Sequence, residues 1–144
     1  MKFTYSLFLF LALSFFQPTK NDQKPTVYVI GDSTVADGND NIVGWGKMVP
    51  VFFDTLRVNI FNKARGGRSS RTFRYEGLWK EIEEQLQPGD FVIMQFGHND
   101  GGNIDKEKFR GSLKGTGEES QEVTRTDGTK ETVHTYDWLS LIHI

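Results

Sequence analysis

A chain of 144 residues has room for one domain, and 37% hydrophobic with 25% charged residues is the balance of an ordinary globular protein rather than a disordered one. The formal net charge of −2 is too small to argue for a nucleic-acid or membrane partner, and the lack of cysteine excludes disulfides, thiolate metal sites and a cysteine nucleophile. Three histidines without paired spacing give little material for a metal centre, so none is expected.

At the N-terminus Lys2 precedes an apolar run over residues 3–16, too short to span a bilayer comfortably, with Ala12 and Ser14 as small residues for a cleavage site. Residues 1–24 are therefore expected to be a signal peptide and a polar linker, and residues 25–144 the folded domain. The mature protein is expected to be secreted or periplasmic, without a stable membrane span. Residues 26–30 are β-branched and aromatic and end at Gly31, the pattern of a buried strand. Residues 32–44 are rich in Gly, Asp, Asn and Ser and read as loop. Trp45, Met48, Phe52 and Leu56 recur at helical spacing, with Pro50 limiting the helix they predict. Residues 58–61 predict a second strand, and residues 62–71 a loop. Leu78, Trp79, Ile82 and Leu86 line one face of a second helix, which Pro88-Gly89 stops. Residues 91–96 form the strongest strand pattern. This alternation predicts an α/β fold with a parallel sheet and covering helices. Beyond it, residues 121–126 and 129–135 can pair as a hairpin around Asp127-Gly128.

Three polar blocks follow the three strands and so fall at one end of the sheet, where open parallel sheets bind ligands. Gly31-Asp32-Ser33 can present a serine hydroxyl at a sharp turn. Gly66-Gly67-Arg68-Ser69-Ser70 leaves backbone N–H groups unobstructed and able to point at a negative oxygen. Gly97-His98-Asn99-Asp100 supplies a side-chain amide that can donate to the same oxygen. Each block taken singly is equally served by a turn or a flexible loop; their coincidence at one sheet end favours chemistry.

Gly31-Asp32-Ser33-Thr34, Gly67-Arg68-Ser69 and Gly97-His98-Asn99-Asp100 resemble the first three blocks of the SGNH (GDSL-like) hydrolases. The stretch 31–36, Gly44-Trp45-Gly46, residues 67–73 and residues 96–102 more closely resemble rhamnogalacturonan acetylesterases. The resemblance runs from about Thr26 to Trp138. It implies a three-layer α/β fold of flavodoxin-like type, with Ser33 as nucleophile. The Ser33 and Gly67 N–H groups and the Asn99 side chain would form the oxyanion hole. It implies no cofactor and no metal, and a substrate that is an acetylated acidic polysaccharide or oligosaccharide rather than nucleic acid.

The base implied by the resemblance, a histidine in a C-terminal Asp-x-x-His block, is absent: Gln95, Glu131 and Ser140 stand three before His98, His134 and His143. Glu131-Thr132-Val133-His134 imitates the block but falls in the expected hairpin, so His134 reads as a surface or loop residue. The family's long amphipathic helix is not continued by residues 139–144, which read as appended sequence. The C-terminal part of the fold is thus expected to be missing, and the chain alone to be inactive and to fold poorly for want of sheet partners.

Lys63, Arg65, Arg68, Arg71 and Arg74 lie within an acid-free stretch. Read as a rim beside Gly67, they would steer an anionic polymer such as pectin, and Arg71→Ala would weaken turnover of it selectively. Read otherwise, they pair with acids elsewhere. Two other functions remain open: an SGNH hydrolase acting on lipid, thioester or another acetylated sugar, and a non-catalytic carbohydrate-binding remnant. Neither a G-x-G-x-x-G nor a Walker-type loop follows a strand, which disfavours dinucleotide and phosphate binding.

Overall fold

The computed structural model describes residues 23–39, 41–105 and 108–136. The expected signal segment over residues 3–16 and the appended stretch 139–144 lie outside the described residues. Strands β1 (Thr26–Gly31), β2 (Asn59–Asn62) and β3 (Phe91–Gln95) form a parallel sheet in the order β2-β1-β3. Val27 stands opposite both Ile60 and Phe91, and Val29 opposite Asn62 and Ile93. Asp90 sets the start of β3 by accepting from the N–H of Thr26 at 2.7 Å and of Gln87 at 3.0 Å.

Because successive side chains alternate across a strand, the central strand feeds two cores. Tyr28 and Ile30 pack with Phe73, Trp79 and Ile82 of α1 (Ser70–Tyr75) and α2 (Leu78–Glu83). Val27 and Val29 pack on the opposite face with Val35 and Val49. All six β1 residues are buried, as a central parallel strand requires. Leu78 and Leu86 join the first core, so the expected α2 face is the one buried. Among the described residues β3 has no partner on its outer edge, and Phe91 is 62% exposed there.

Two expectations are corrected. The segment after Gly44 is a 3-10 helix, Trp45–Phe52, that buries Gly46 and Val49 while Trp45, Met48, Phe52 and Leu56 are exposed. Pro50 lies inside it and cannot donate the α-helical bond to residue 46, and a three-residue turn faces positions 46 and 49 inward instead. Gly46 is required there: a Cβ would sit 2.4 Å from the Val35 carbonyl oxygen and 2.6 Å from Asn62 Nδ2. The expected loop 62–71 is cut short because Ser69 and Thr72 cap α1 reciprocally. The Ser69 side chain accepts from Thr72 N at 3.1 Å and Thr72 Oγ1 accepts from Ser69 N at 2.8 Å.

β4 (Ser120–Thr124) and β5 (Lys130–His134) pair antiparallel around a turn in which Gly128 has φ 82°. This hairpin is tied to α1 by a buried ion pair. Arg71, 2% exposed, donates from Nε to Glu131 Oε1 at 2.7 Å and from Nη2 to Oε2 at 2.8 Å. Its Nη1 donates to the carbonyls of Ile104 and Gly111 at 2.7 and 2.8 Å. Arg125 adds a bond to Glu131 Oε2 at 2.7 Å and stacks 4.1 Å over the Tyr75 ring. Arg71 is therefore not part of a solvent-facing cationic rim; four of its bonds point inward, and no bulk polymer can reach it.

Burial by itself would raise the Glu131 carboxyl pKa, but the hydrogen bonds and charges of Arg71 and Arg125 outweigh it and hold it below its ordinary 4.5. A depressed acid stabilises the fold fully above that ordinary value and loses the contribution as pH falls through the lowered one. Urea denaturation should show Arg71→Ala destabilised by about 3–5 kcal/mol, the range for breaking a buried pair. The wild-type loss of stability below about pH 4.5 should be flatter in that variant. A variant of unchanged stability would reject the clamp.

Candidate active site

The turn after β1 is built on Asp32, which is 1% exposed. Its Oδ1 accepts from Thr34 N at 2.8 Å and Thr34 Oγ1 at 2.9 Å, and its carbonyl accepts from Val35 N and Ala36 N at 3.1 and 3.0 Å. A buried aspartate that holds the next turn on both its side chain and its carbonyl lifts the intervening residue outward. Ser33 is accordingly exposed, and its hydroxyl makes no hydrogen bond among the described residues. Gln95, at the end of β3, braces the turn from the side. Its Nε2 donates to Thr34 Oγ1 at 3.0 Å while its Oε1 accepts from Trp45 Nε1 at 2.6 Å.

The second block arrives on an extension of the β1–β2 ladder, with Lys63 N donating to Val29 O at 2.8 Å and Arg65 N to Gly31 O at 2.9 Å. This brings Gly66 against Ser33, whose Cβ would lie 3.8 Å from a Cβ at Gly66. Gly67 has φ 76°, a left-handed conformation that other residues adopt only with strain. In the third block Asn99 is half-buried; its Nδ2 donates to the Arg68 carbonyl at 2.9 Å and its Oδ1 accepts from Arg110 Nη1 at 3.2 Å. Arg110 Nη2 in turn lies 3.0 Å from where a Cβ on Gly67 would be. Ser33, Gly67 and Asn99 are thus drawn to one end of the sheet by direct contacts between their loops. The Asn99 amide keeps one N–H beyond its bond to Arg68.

A family model for GDSL-like lipases and acylhydrolases matches residues 27–125, which contain all three blocks. The chain belongs to this family. The rhamnogalacturonan acetylesterase of Emericella nidulans is 41% identical over 111 residues, covering 77% of this chain and 42% of that protein. RhgT of Bacillus subtilis, also named a rhamnogalacturonan acetylesterase, is 39% identical over 77 residues, 51% of this chain and 33% of that protein. The crystal structure of YxiM from Bacillus subtilis superposes with a TM-score of 0.50 at 38% identity, covering 54% of this chain and 23% of that one. The chain spans less than half the length of the curated relatives it matches. The parallel β2-β1-β3 sheet, covered on both faces of β1, is consistent with the SGNH hydrolase fold.

Ser33 opens onto a cleft of about 700 Å³ whose lining includes Asn62, Lys63, Arg65 and Gly66. Lys63 and Arg65, expected on a cationic rim, do face this cleft, whereas Arg68 pairs with Glu76 at 2.9 Å. His98 is exposed on the third-block loop. His134, expected at the surface or in a loop, is instead a half-buried strand residue opposite Ser120. Burial first, and then the Arg74 charge, push its pKa below 6.5, so the neutral form is favoured. Its three-residue separation from Glu131 on an extended strand directs the two to opposite faces, and the Glu131 carboxylate is held by two arginines. They do not form a base and its orienting acid.

Arg110 was missed by sequence reasoning. Its only local signal is a lone arginine beside Phe109, a buried residue with φ 50°. Such a backbone is strained for an aromatic residue and is the kind of outlier that marks functional loops. For Gly67, an alanine would keep the strained φ and press on the Arg110 guanidinium. Chemical denaturation of Gly67→Ala should report a loss of about 1–2 kcal/mol; no loss would mean that the loop readily adopts another conformation.

Proposed function

We propose that the protein is the front portion of a serine acetylesterase that removes acetyl groups from an acidic plant cell-wall polysaccharide of the rhamnogalacturonan kind. The observation that carries this reading is the convergence of Ser33, Gly67 and Asn99 at one sheet end, with the Ser33 hydroxyl unbonded among the described residues and beside an open cleft. The names of the relatives, 41% and 39% identical, support the substrate class. Export, expected from the apolar run over residues 3–16, suits a polymer too large to enter a cell.

In this reading Ser33 Oγ attacks the acetyl carbonyl and forms a tetrahedral oxyanion. That oxyanion accepts hydrogen bonds from the Ser33 and Gly67 N–H groups and from Asn99 Nδ2. Collapse releases the sugar hydroxyl and leaves an acetyl-serine, which water then cleaves to acetate. A serine hydroxyl needs a base to give up its proton, and no imidazole of this sequence lies in an Asp-x-x-His block. The proton acceptor is therefore assigned to sequence that the 144 residues do not contain.

The test continues the chain after Tyr136 with the C-terminal part of the Emericella nidulans relative and measures acetate released from acetylated rhamnogalacturonan. The chimera should turn over, the 144-residue chain should not, and Ser33→Ala should abolish the activity. Asn99→Ala should lower kcat by about 10²–10³, the effect of losing one oxyanion donor. A folded chimera in which Ser33→Ala changes nothing would reject the esterase reading, and sugar binding without acetate release would favour a carbohydrate-binding remnant.

A further inference from the structure

The loop that carries Asn99 borders a second, open cleft of about 400 Å³, lined by His98, Asn99, Lys108 and Arg110 together with Gly102 and Gly111. Among the described residues lining it there are two basic side chains and no carboxylate. Three other arginines are committed to acids: Arg68 to Glu76, and Arg71 and Arg125 to Glu131. Arg110 differs. It donates from Nη1 to the neutral Asn99 Oδ1 at 3.2 Å and meets no carboxylate among the described residues.

We propose that Arg110, with Lys108 lining the same cleft, binds a carboxylate of the substrate, a uronate on the acetylated sugar or on the sugar next to it. A guanidinium has five donors in a fixed fork, and one bond to Asn99 leaves enough of them to hold a carboxylate bidentately. The backbone that carries the fork is anchored on both sides. Phe109 is 6% exposed and lies beneath the Arg125 guanidinium at 5.0 Å. The Gly111 carbonyl accepts from Arg71 at 2.8 Å, and Ser112 donates from its N–H to the Asp100 carbonyl at 3.0 Å and from its hydroxyl to Asp100 Oδ1 at 3.1 Å. Little ordering remains to be paid when an anion arrives.

Contact with both Gly67 and Asn99 places this charge beside the group that would hold the oxyanion, so the carboxylate it recognises belongs to the reacting end of the ligand. The inference rests on the acetylesterase reading for that relation to the reacting ester, but anion binding itself requires no turnover. It adds to the acidic-substrate contact expected of the acid-free stretch 63–74, of which Lys63 and Arg65 face the cleft beside Ser33. Arg71 of that stretch is internal, and the fork that meets no carboxylate among the described residues comes from the third-block loop.

Isothermal titration of the intact chain tests it with two unacetylated probes. One is a rhamnogalacturonan oligosaccharide; the other is the same oligosaccharide with its carboxylates reduced to alcohols. The wild type should prefer the acidic probe, and added salt should erode the preference. Arg110→Gln should weaken the acidic probe about tenfold or more and leave the reduced probe unchanged, with Arg110→Lys between them. Lys108→Gln, whose side chain makes no hydrogen bond among the described residues, should show a smaller loss of the same selectivity and carries the test if Arg110→Gln does not fold. Equal affinity for both probes, equal loss on both in Arg110→Gln, or no binding of either would overturn the inference. Those outcomes leave acetate release by the chimera untouched, and acid-selective binding without acetate release would instead defeat only the esterase reading.

Discussion

The Arg71 guanidinium joins three parts of the chain. From α1 it reaches both oxygens of Glu131 in the hairpin and the carbonyls of Ile104 and Gly111 in the third-block loop. A planar fork with five donors can satisfy a bidentate carboxylate and two carbonyls at once, which an ammonium cannot. The full pairing makes the buried charge tolerable, and its geometry fixes where the loop bearing Asn99 and Arg110 can run. The arginine on which the loop depends is thus one buried away from solvent.

A second buried acid complements it. Asp100 accepts at a single oxygen from the Ser70 N–H and hydroxyl and from Ser112, so the start of α1 and the far side of the same loop share one anchor. Asp32 does for the first block what Asp100 does for the third. It holds the turn by its own side chain and leaves Ser33 exposed above it. The parallel register supplies the remaining constraint: three strands ending together deliver three loops to one edge, where a side chain, a bare backbone and an amide converge.

Basic residues that look alike in sequence have separated roles in the fold. Arg71 is internal and Arg125 half-buried, and they share one carboxylate; Arg68 lies against Glu76, and Lys63 and Arg65 face the cleft beside Ser33. Arg110, outside the acid-free stretch altogether, contacts the two positions expected to donate to an oxyanion. Charge density along the chain therefore does not report charge density at the site. Partners contributed from 60 residues away, as Glu131 is to Arg71, decide which cations stay available.

The three strands, the α2 face, the Asp127-Gly128 hairpin and the three polar blocks were legible because each rests on a local pattern. Strand alternation, helical spacing, turn residues and a short motif need no knowledge of what lies across the fold. The sequence by itself also determined the family, since the glycines and polar residues of the blocks are specific in combination. Where Pro50 and the close approach of Gly46 to Val35 compete with an apolar period, the period misled. The stripe from Trp45 to Leu56 predicted an α-helix, and a 3-10 helix with the opposite face buried formed. Only the tertiary structure decided that Arg71 is a buried clamp, that Glu131 and His134 face apart, and that Arg110 stands between Gly67 and Asn99. These depend on contacts between residues far apart in the chain, and a single sequence carries no record of which distant groups will share a burial site.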